Sequence, residues 1–203
     1  MPGEAPLLMV GTDEAAVERD LLAGRLACPD CGAALRPWAR SRVRALHLRG
    51  GEVLRFAPRR AICRAHPKPK THVLLPDSSL LRRRDHVEVI GSAIVRLAEG
   101  AGQRPLATSL GVSREKVRGW LRAFAAAAEA IRAHFTRWAH ALDPELGAIA
   151  PTAGPVSDAL GAIGAAVRAY VLRFGPAPVW QVAARLSGGV LLCNTSLPFR
   201  AVP

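Results

Sequence analysis

Residues Gln103 to Phe124, QRPLATSLGVSREKVRGWLRAF, decide how the rest of the chain is read. The pattern predicts two short helices joined by a tight turn. Pro105 suits the first turn of a helix, where its missing N–H costs nothing. Gly111 is the residue type that tolerates the left-handed conformation of a sharp helix stop. Ser113 is placed to cap the second helix by accepting a hydrogen bond from an unpaired N–H. Ala107 is small enough for the second helix to cross close by, and Leu106, Leu110, Val112, Val117 and Trp120 point inward. Arg114, Glu115, Lys116, Arg118, Gly119 and Arg122 remain on the outward face. A helical hairpin that only packs a core has the same apolar pattern, but the basic outward face is the one a helix entering a major groove needs.

The charge distribution points the same way. The chain has 203 residues and a formal net charge of +12, with half of its residues apolar. Arginine richness by itself is weak evidence, because GC-rich genomes produce it. Its position is stronger evidence. Residues 1–35 hold six acids and two arginines, whereas residues 36–84 hold fourteen Arg or Lys and two acids. Like charges concentrated this far repel one another, so a polyanionic partner is the simplest account. No run of about 18 apolar residues occurs, so no membrane span is expected. The start lacks the basic and apolar regions of a leader, so a cytoplasmic, nucleoid-associated protein is expected.

Four cysteines in such a compartment read as thiols or metal ligands rather than disulfides. Cys28-Pro-Asp-Cys31-Gly is answered by Cys63-Arg-Ala-His66. Two thiolates three residues apart can grip one ion, and the glycine lets the chain turn beneath the sulfurs. The intervening piece alternates as a strand over 42–48, turns at Gly50-Gly51 and returns from Glu52 toward Ile62 past Pro58. This is the pattern of a zinc ribbon with ligands Cys28, Cys31, Cys63 and His66, holding one structural Zn2+. His72 is the substitute for His66, and three-coordination is a further alternative. A redox pair would need a thioredoxin-like strand and helix around Cys28, and neither is visible.

The flanks supply helices. Residues 13–23 predict a short helix capped by Thr12 and ended by Gly24. Residues 71–81, THVLLPDSSLL, read as an extended linker, followed by Arg82, Arg83 and Arg84 and a helix over 85–99. Leu121, Phe124, Ala128, Ile131, Phe135, Trp138 and Leu142 recur at alternating spacings of three and four, predicting a long helix that continues from the basic one. Its seam serves either a dimer or an internal hairpin with the stripe Val156, Leu160, Ile163, Val167, Val171 and Phe174, and the hairpin is favoured. A last helix is expected over 179–186. The fold class expected is therefore mostly α with a small β zinc ribbon. Its parts are an N-terminal helix (1–24), zinc ribbon (25–75), helix-turn-helix (82–124), long helix and hairpin (125–187) and tail (188–203).

The succession of a CPxCG ribbon, an arginine-rich hairpin, a THVLLP segment and the sequence VRGWLRAF resembles the DNA-binding front end of bacterial insertion-sequence transposases. It is also similar to an uncharacterised helix-turn-helix family of actinomycete-type bacteria. The resemblance covers about residues 21–124. It implies zinc at Cys28, Cys31 and Cys63, with His66 standing where that family has cysteine. It implies framework roles for Ala107, Gly111, Val117 and Trp120, and DNA contacts from Arg114, Arg118 and Arg122.

A transposase also needs three carboxylates holding two metals. After Trp120 the acids are Glu129, Asp143, Glu145 and Asp158, all on predicted helices or in a Pro-rich loop. A non-catalytic DNA-binding protein is thus expected. Ser113, Arg114, Glu115, Lys116, Arg118 and Arg122 would face DNA, with Arg42, Arg44, Arg55, Arg59 and Arg60 and then Arg82, Arg83 and Arg84 on phosphates. The partners implied are double-stranded DNA, a second copy of the chain, and a separate transposase or the transcription machinery. An adaptor that binds only protein is the alternative.

Overall fold

The computed structural model describes residues 7–152, 154–193 and 199. Strands β1 (Leu7–Val10), β2 (Arg36–Arg40), β3 (Arg44–His47), β4 (Val53–Phe56), β5 (Arg59–Cys63) and β6 (Lys70–Pro76) occupy the first part, with helix α1 (Glu14–Leu22) after β1. The rest is helical: α2 (Val87–Ala98), α3 (Gln103–Leu110), α4 (Arg114–Ala126), α5 (Ala128–Leu142), α6 (Pro155–Phe174) and α7 (Val179–Leu186). Among the described residues no helix is long and apolar enough to cross a membrane. The tail expected over 188–203 lies partly outside the described residues.

The sheet corrects the sequence reading in three places. Its order is β1-β6-β5-β2, with β1 parallel to β6 and the other pairs antiparallel. The segment expected to be a linker is therefore β6, paired on both sides, and Leu74 and Leu75 are almost fully buried. In THVLLP two adjacent leucines and a closing proline interrupt the alternation, which is why the segment lacks the period-two signature although Val73 is only partly buried. The apolar run Leu7–Val10 is an edge strand. The single long hairpin expected between the knuckles is two structures. β3 and β4 pair only with each other, while β5 leaves them at Pro58 and pairs with β2. Proline cannot continue a ladder through its missing N–H, and the Ser41 N–H donates to the Pro58 carbonyl (2.8 Å) across the neck of the hairpin.

Asp13, not Thr12, caps α1, its Oδ1 accepting from the Ala15 and Ala16 N–H groups at 2.9 and 3.0 Å. The first buried cluster forms where α1 covers the sheet, with Leu21, Leu35, Ala61 and Leu74 at its centre.

The helices share a second core. Gly111 adopts φ +70°, and the Val112 N–H donates back to the Ala107 carbonyl (3.1 Å), closing α3. Ser113 Oγ accepts from the Lys116 N–H (3.3 Å), opening α4. Leu106, Leu110, Val117 and Trp120 are buried as expected, while Val112 is half-buried. α4 does not run on into α5. Ala127 leaves helical geometry (φ −106°, ψ 5°), and its N–H bonds the Phe124 carbonyl at 3.1 Å. No residue type in the Ala125–Ala128 run marks this break. It lets Phe124 and Ala128 both enter the core.

α5 and α6 form the favoured internal hairpin. The seam residues Phe124, Ala128, Ile131 and Phe135 are covered by the chain's own α6. The matching face of α6 differs from the expected stripe: Ala159, Ala162, Ile163, Ala166 and Val167 are buried, whereas Phe174 is 60% exposed. Small side chains on one helix let the large ones of its neighbour come close.

Candidate metal centre and basic surface

The two knuckles meet at one end of the sheet. In the first, the Gly32 N–H donates to the Cys28 carbonyl and the Cys28 N–H to the Ala33 carbonyl, both at 2.8 Å. Gly32 sits at φ +73°, so the chain turns tightly under the sulfurs. In the second, Cys63 ends β5 and His66 lies in the turn before β6. One ligand atom from each of Cys28, Cys31, Cys63 and His66 falls in a group whose members are all within 4.8 Å of one another. Cys28 Sγ to His66 Nε2 is 3.5 Å and Cys31 Sγ to Cys63 Sγ is 3.6 Å. Metal bonds of about 2.3 Å to sulfur and about 2.0 Å to nitrogen give tetrahedral edges of about 3.8 and 3.5 Å. These four residues can therefore hold a metal ion.

His72 takes a different position. Its Nε2 is 3.5 Å from Cys28 Sγ, but the group it forms is with Cys28 and Asp30. It is fully buried on β6 and its Nδ1 has no hydrogen-bond partner. Cys28 Sγ thus has two imidazole nitrogens 3.5 Å away, one from His66 and one from His72.

The thiols are electrostatically frustrated as they stand. Burial pushes the Cys28 thiol up, but the His66 contact and the Asp30 and Cys31 N–H groups outweigh it and bring it down to about 6. For Cys31 the Ala33 N–H works downward, yet burial and the sulfurs of Cys63 and Cys28 win and raise it. The Cys28 sulfur ionises easily and Cys31 resists following. A bound cation removes that conflict, because it stabilises every thiolate at once.

The arginines separate into three environments. A concave groove of about 1080 Å³ runs between the β3–β4 hairpin and residues 81–84. Arg42, Arg44 and Arg55 line it from the hairpin side, Arg60 from β5, and Arg82, Arg83 and Arg84 from the opposite wall. Among the described residues no carboxylate lines it. Arg60 donates to Thr71 Oγ1 (2.7 Å) and Arg83 to the Leu192 carbonyl. Among the described residues Arg42, Arg44, Arg55 and Arg84 have no ion-pair partner. Arg59 lies elsewhere: its guanidinium binds the two oxygens of Glu18 on α1 at 2.8 and 3.0 Å.

The third environment is α4. Arg114, Glu115, Arg118 and Arg122 are exposed opposite the buried Val117, Trp120 and Phe124. Ser113 is engaged as the cap, and Lys116 Nζ binds Asp85 Oδ1 at 2.9 Å. Lys116 and Arg122 line a second cleft together with Arg82, Arg83 and Arg84. The triple arginine is thus shared between the groove and the foot of α4.

The sequence reading missed Trp38. The β2–β5 register shifts between Pro37 and Ala39, so Trp38 is the extra residue of a bulge opposite Arg60. It is 54% exposed. Its alternation with Arg36 and Arg40 was the only signal available, and Pro37 masked it. No protein-family model, curated protein or solved structure matches this chain.

Proposed function

We propose that the chain is a non-catalytic DNA-binding protein with one structural Zn2+ held by Cys28, Cys31, Cys63 and His66. Four protein ligands leave no open coordination position, so the ion's role is to join the two knuckles. α3 and α4 act as a helix-turn-helix, with Arg114 and Arg118 reaching base edges in the major groove. Arg122 and the arginines at residues 82–84 and on the β3–β4 hairpin meet phosphates. The single observation that carries this reading is the sharing of Arg82, Arg83 and Arg84 between the hairpin groove and the foot of α4, which links the groove arginines to Lys116 and Arg122. The role is regulator-like or transposase-derived, in keeping with the resemblance of residues 21–124.

Selection from random duplex DNA with zinc-loaded protein tests it. An enriched motif is expected, and Arg118→Ala should lose it, since one bidentate arginine–guanine pair is worth about 1–3 kcal/mol of discrimination. Equal enrichment by both proteins would remove α4 from recognition.

A second role as accessory subunit of a separate enzyme is favoured by one feature, the last turn of α6, where Leu172 and Phe174 are 83% and 60% exposed.

A further inference from the structure

The hairpin groove has a shape that duplex contact does not require. Its two walls are fastened together at one end: the His47 N–H donates to the Arg84 carbonyl (2.7 Å) and the His86 N–H to the His47 carbonyl (2.9 Å). The hairpin tip is held as well, because the Gly50-Gly51 turn lies against Gly111, where an added Cβ would fall 2.9 Å from the Gly51 nitrogen. The groove is therefore a built concavity and not a loose flap over the sheet. Its floor is apolar, from Leu7 on β1 and Val73 on β6. About 1080 Å³ lies at the upper end of the range for small-ligand sites. That is room for a few nucleotides of one strand. A duplex, whose major groove alone is about 12 Å across, does not fit inside it.

A cationic groove that follows a phosphate backbone, combined with an aromatic side chain for a base to stack on, is how proteins hold single strands without reading sequence. The aromatic is present. Trp38 does not itself line the groove, but it is the extra residue of the bulge next to Ala39, which pairs with the groove residue Arg60, and bulges are devices for re-aiming a side chain.

We infer that the groove between the β3–β4 hairpin and Arg82, Arg83 and Arg84, with Trp38 at its side, binds an unpaired strand of DNA. Arg42, Arg44, Arg55 and Arg84 take its phosphates, and Trp38 stacks on a base. This seat shares Arg82, Arg83, Arg84 and the hairpin arginines with the phosphate contacts of the proposed duplex reading but not the base-facing Arg114 and Arg118 of α4, so it stands whether or not those two read duplex DNA.

The test uses the full, metal-loaded chain and a fluorescently labelled 12-nucleotide oligothymidylate, read by anisotropy. Arg42→Ala/Arg55→Ala should weaken binding at least tenfold. It should also make the slope of log affinity against log salt shallower by about 1.4, at about 0.7 per phosphate contact on a single strand. Arg96→Ala/Arg173→Ala removes the same charge from exposed helix positions outside the groove and should change affinity less than twofold. Trp38→Leu should cost fivefold or more, and Trp38→Phe, which keeps a ring, should recover most of that. Metal content and far-ultraviolet circular dichroism check that each variant folds. Equal losses in the two arginine pairs, no effect of Trp38→Leu, tighter binding of oligouridylate, or inorganic polyphosphate competing equally per phosphate would each overturn the inference. Arg118→Ala on selected duplex DNA reports the other seat, so either reading can fail without the other.

Discussion

The Nζ of Lys116 lies 2.9 Å from Oδ1 of Asp85, whose side chain is only 6% exposed. The only lysine of α4 is thereby tied to the start of α2, and the helix meets solvent with arginines. Lys116→Met leaves a buried carboxylate without its cation. Breaking a fully buried pair costs about 3–5 kcal/mol. Lys116 is 44% exposed, so solvent screening lowers the expectation to about 1–2 kcal/mol. Urea denaturation should show that loss. Arg118→Ala, with an exposed side chain, should stay within about 0.5 kcal/mol.

Metal removal should act on one half of the molecule. The sheet core is small, with Leu21, Leu35, Ala61 and Leu74 at its centre, so chelation should disorder residues 25–76 while the helical core persists. Amide exchange after chelator treatment checks this, with faster exchange in β5 and β6 and slow exchange retained in α5 and α6. His66→Ala should lose the ion at micromolar concentrations. His72→Ala should bind about 10–100-fold more weakly, as loss of an outer partner does. Equal effects of the two would show that both histidines coordinate.

Gly91 and Trp180 fix the seat of α7. A Cβ at Gly91 would stand 2.0 Å from the Trp180 ring, and Glu88 Oε1, one turn away, accepts from the backbone N–H of Trp180 (3.3 Å). Gly91→Ala forces the indole out of its place and should cost about 1–3 kcal/mol or more. A lowered Tm with weakened near-ultraviolet tryptophan dichroism is the expected result.

Stability should fall on mild acidification. His134 is buried, with Nε2–H donating to the Leu186 carbonyl (2.9 Å). Burial pushes its pKa below the ordinary 6.5, with the Leu186 contact opposing and Arg137 assisting. Burial likewise lowers His86, against the pull of Asp77. The folded state therefore favours neutral imidazole. Stability is complete above about pH 6.5 and declines as the pH falls toward the folded pKa values, because the unfolded chain binds the protons first. Denaturation midpoints at pH 7.5 and 5.5 should separate, and His134→Gln should narrow the gap. The metal ligands titrate in both proteins, so the difference between them isolates His134.

The helices were legible because their signals are local. Gly111, Ser113 and the apolar spacing of α3 and α4 depend only on neighbours within a turn or two, and the structure starts both helices within one residue of where the pattern predicts them. The Cys28, Cys31, Cys63 and His66 grouping was legible for a chemical reason: Cys-x-x-Cys and Cys-x-x-His are spacings that metal geometry imposes. The break at Ala127 was not legible. Alanine favours helix on both sides of it, and only the packing of Phe124 and Ala128 into one core decides it.

Residues 71–81 show the other limit. In β6 the adjacent Leu74 and Leu75 are both buried and Pro76 closes the run, which breaks the alternation that identifies strands, so the segment resembled a linker until β1 and β5 lay beside it. The same holds for the arginines. Their number and block position came from the sequence, together with the caps, turns and ligand spacings. Which of them converge on one groove, and which are neutralised, was decided by pairings between residues far apart, such as Arg59 with Glu18 and Lys116 with Asp85. Local sequence sets the conformation of a turn or a helix because neighbouring residues share its hydrogen bonds. The partner of a long charged side chain depends on which elements pack together, and only the tertiary structure determines that.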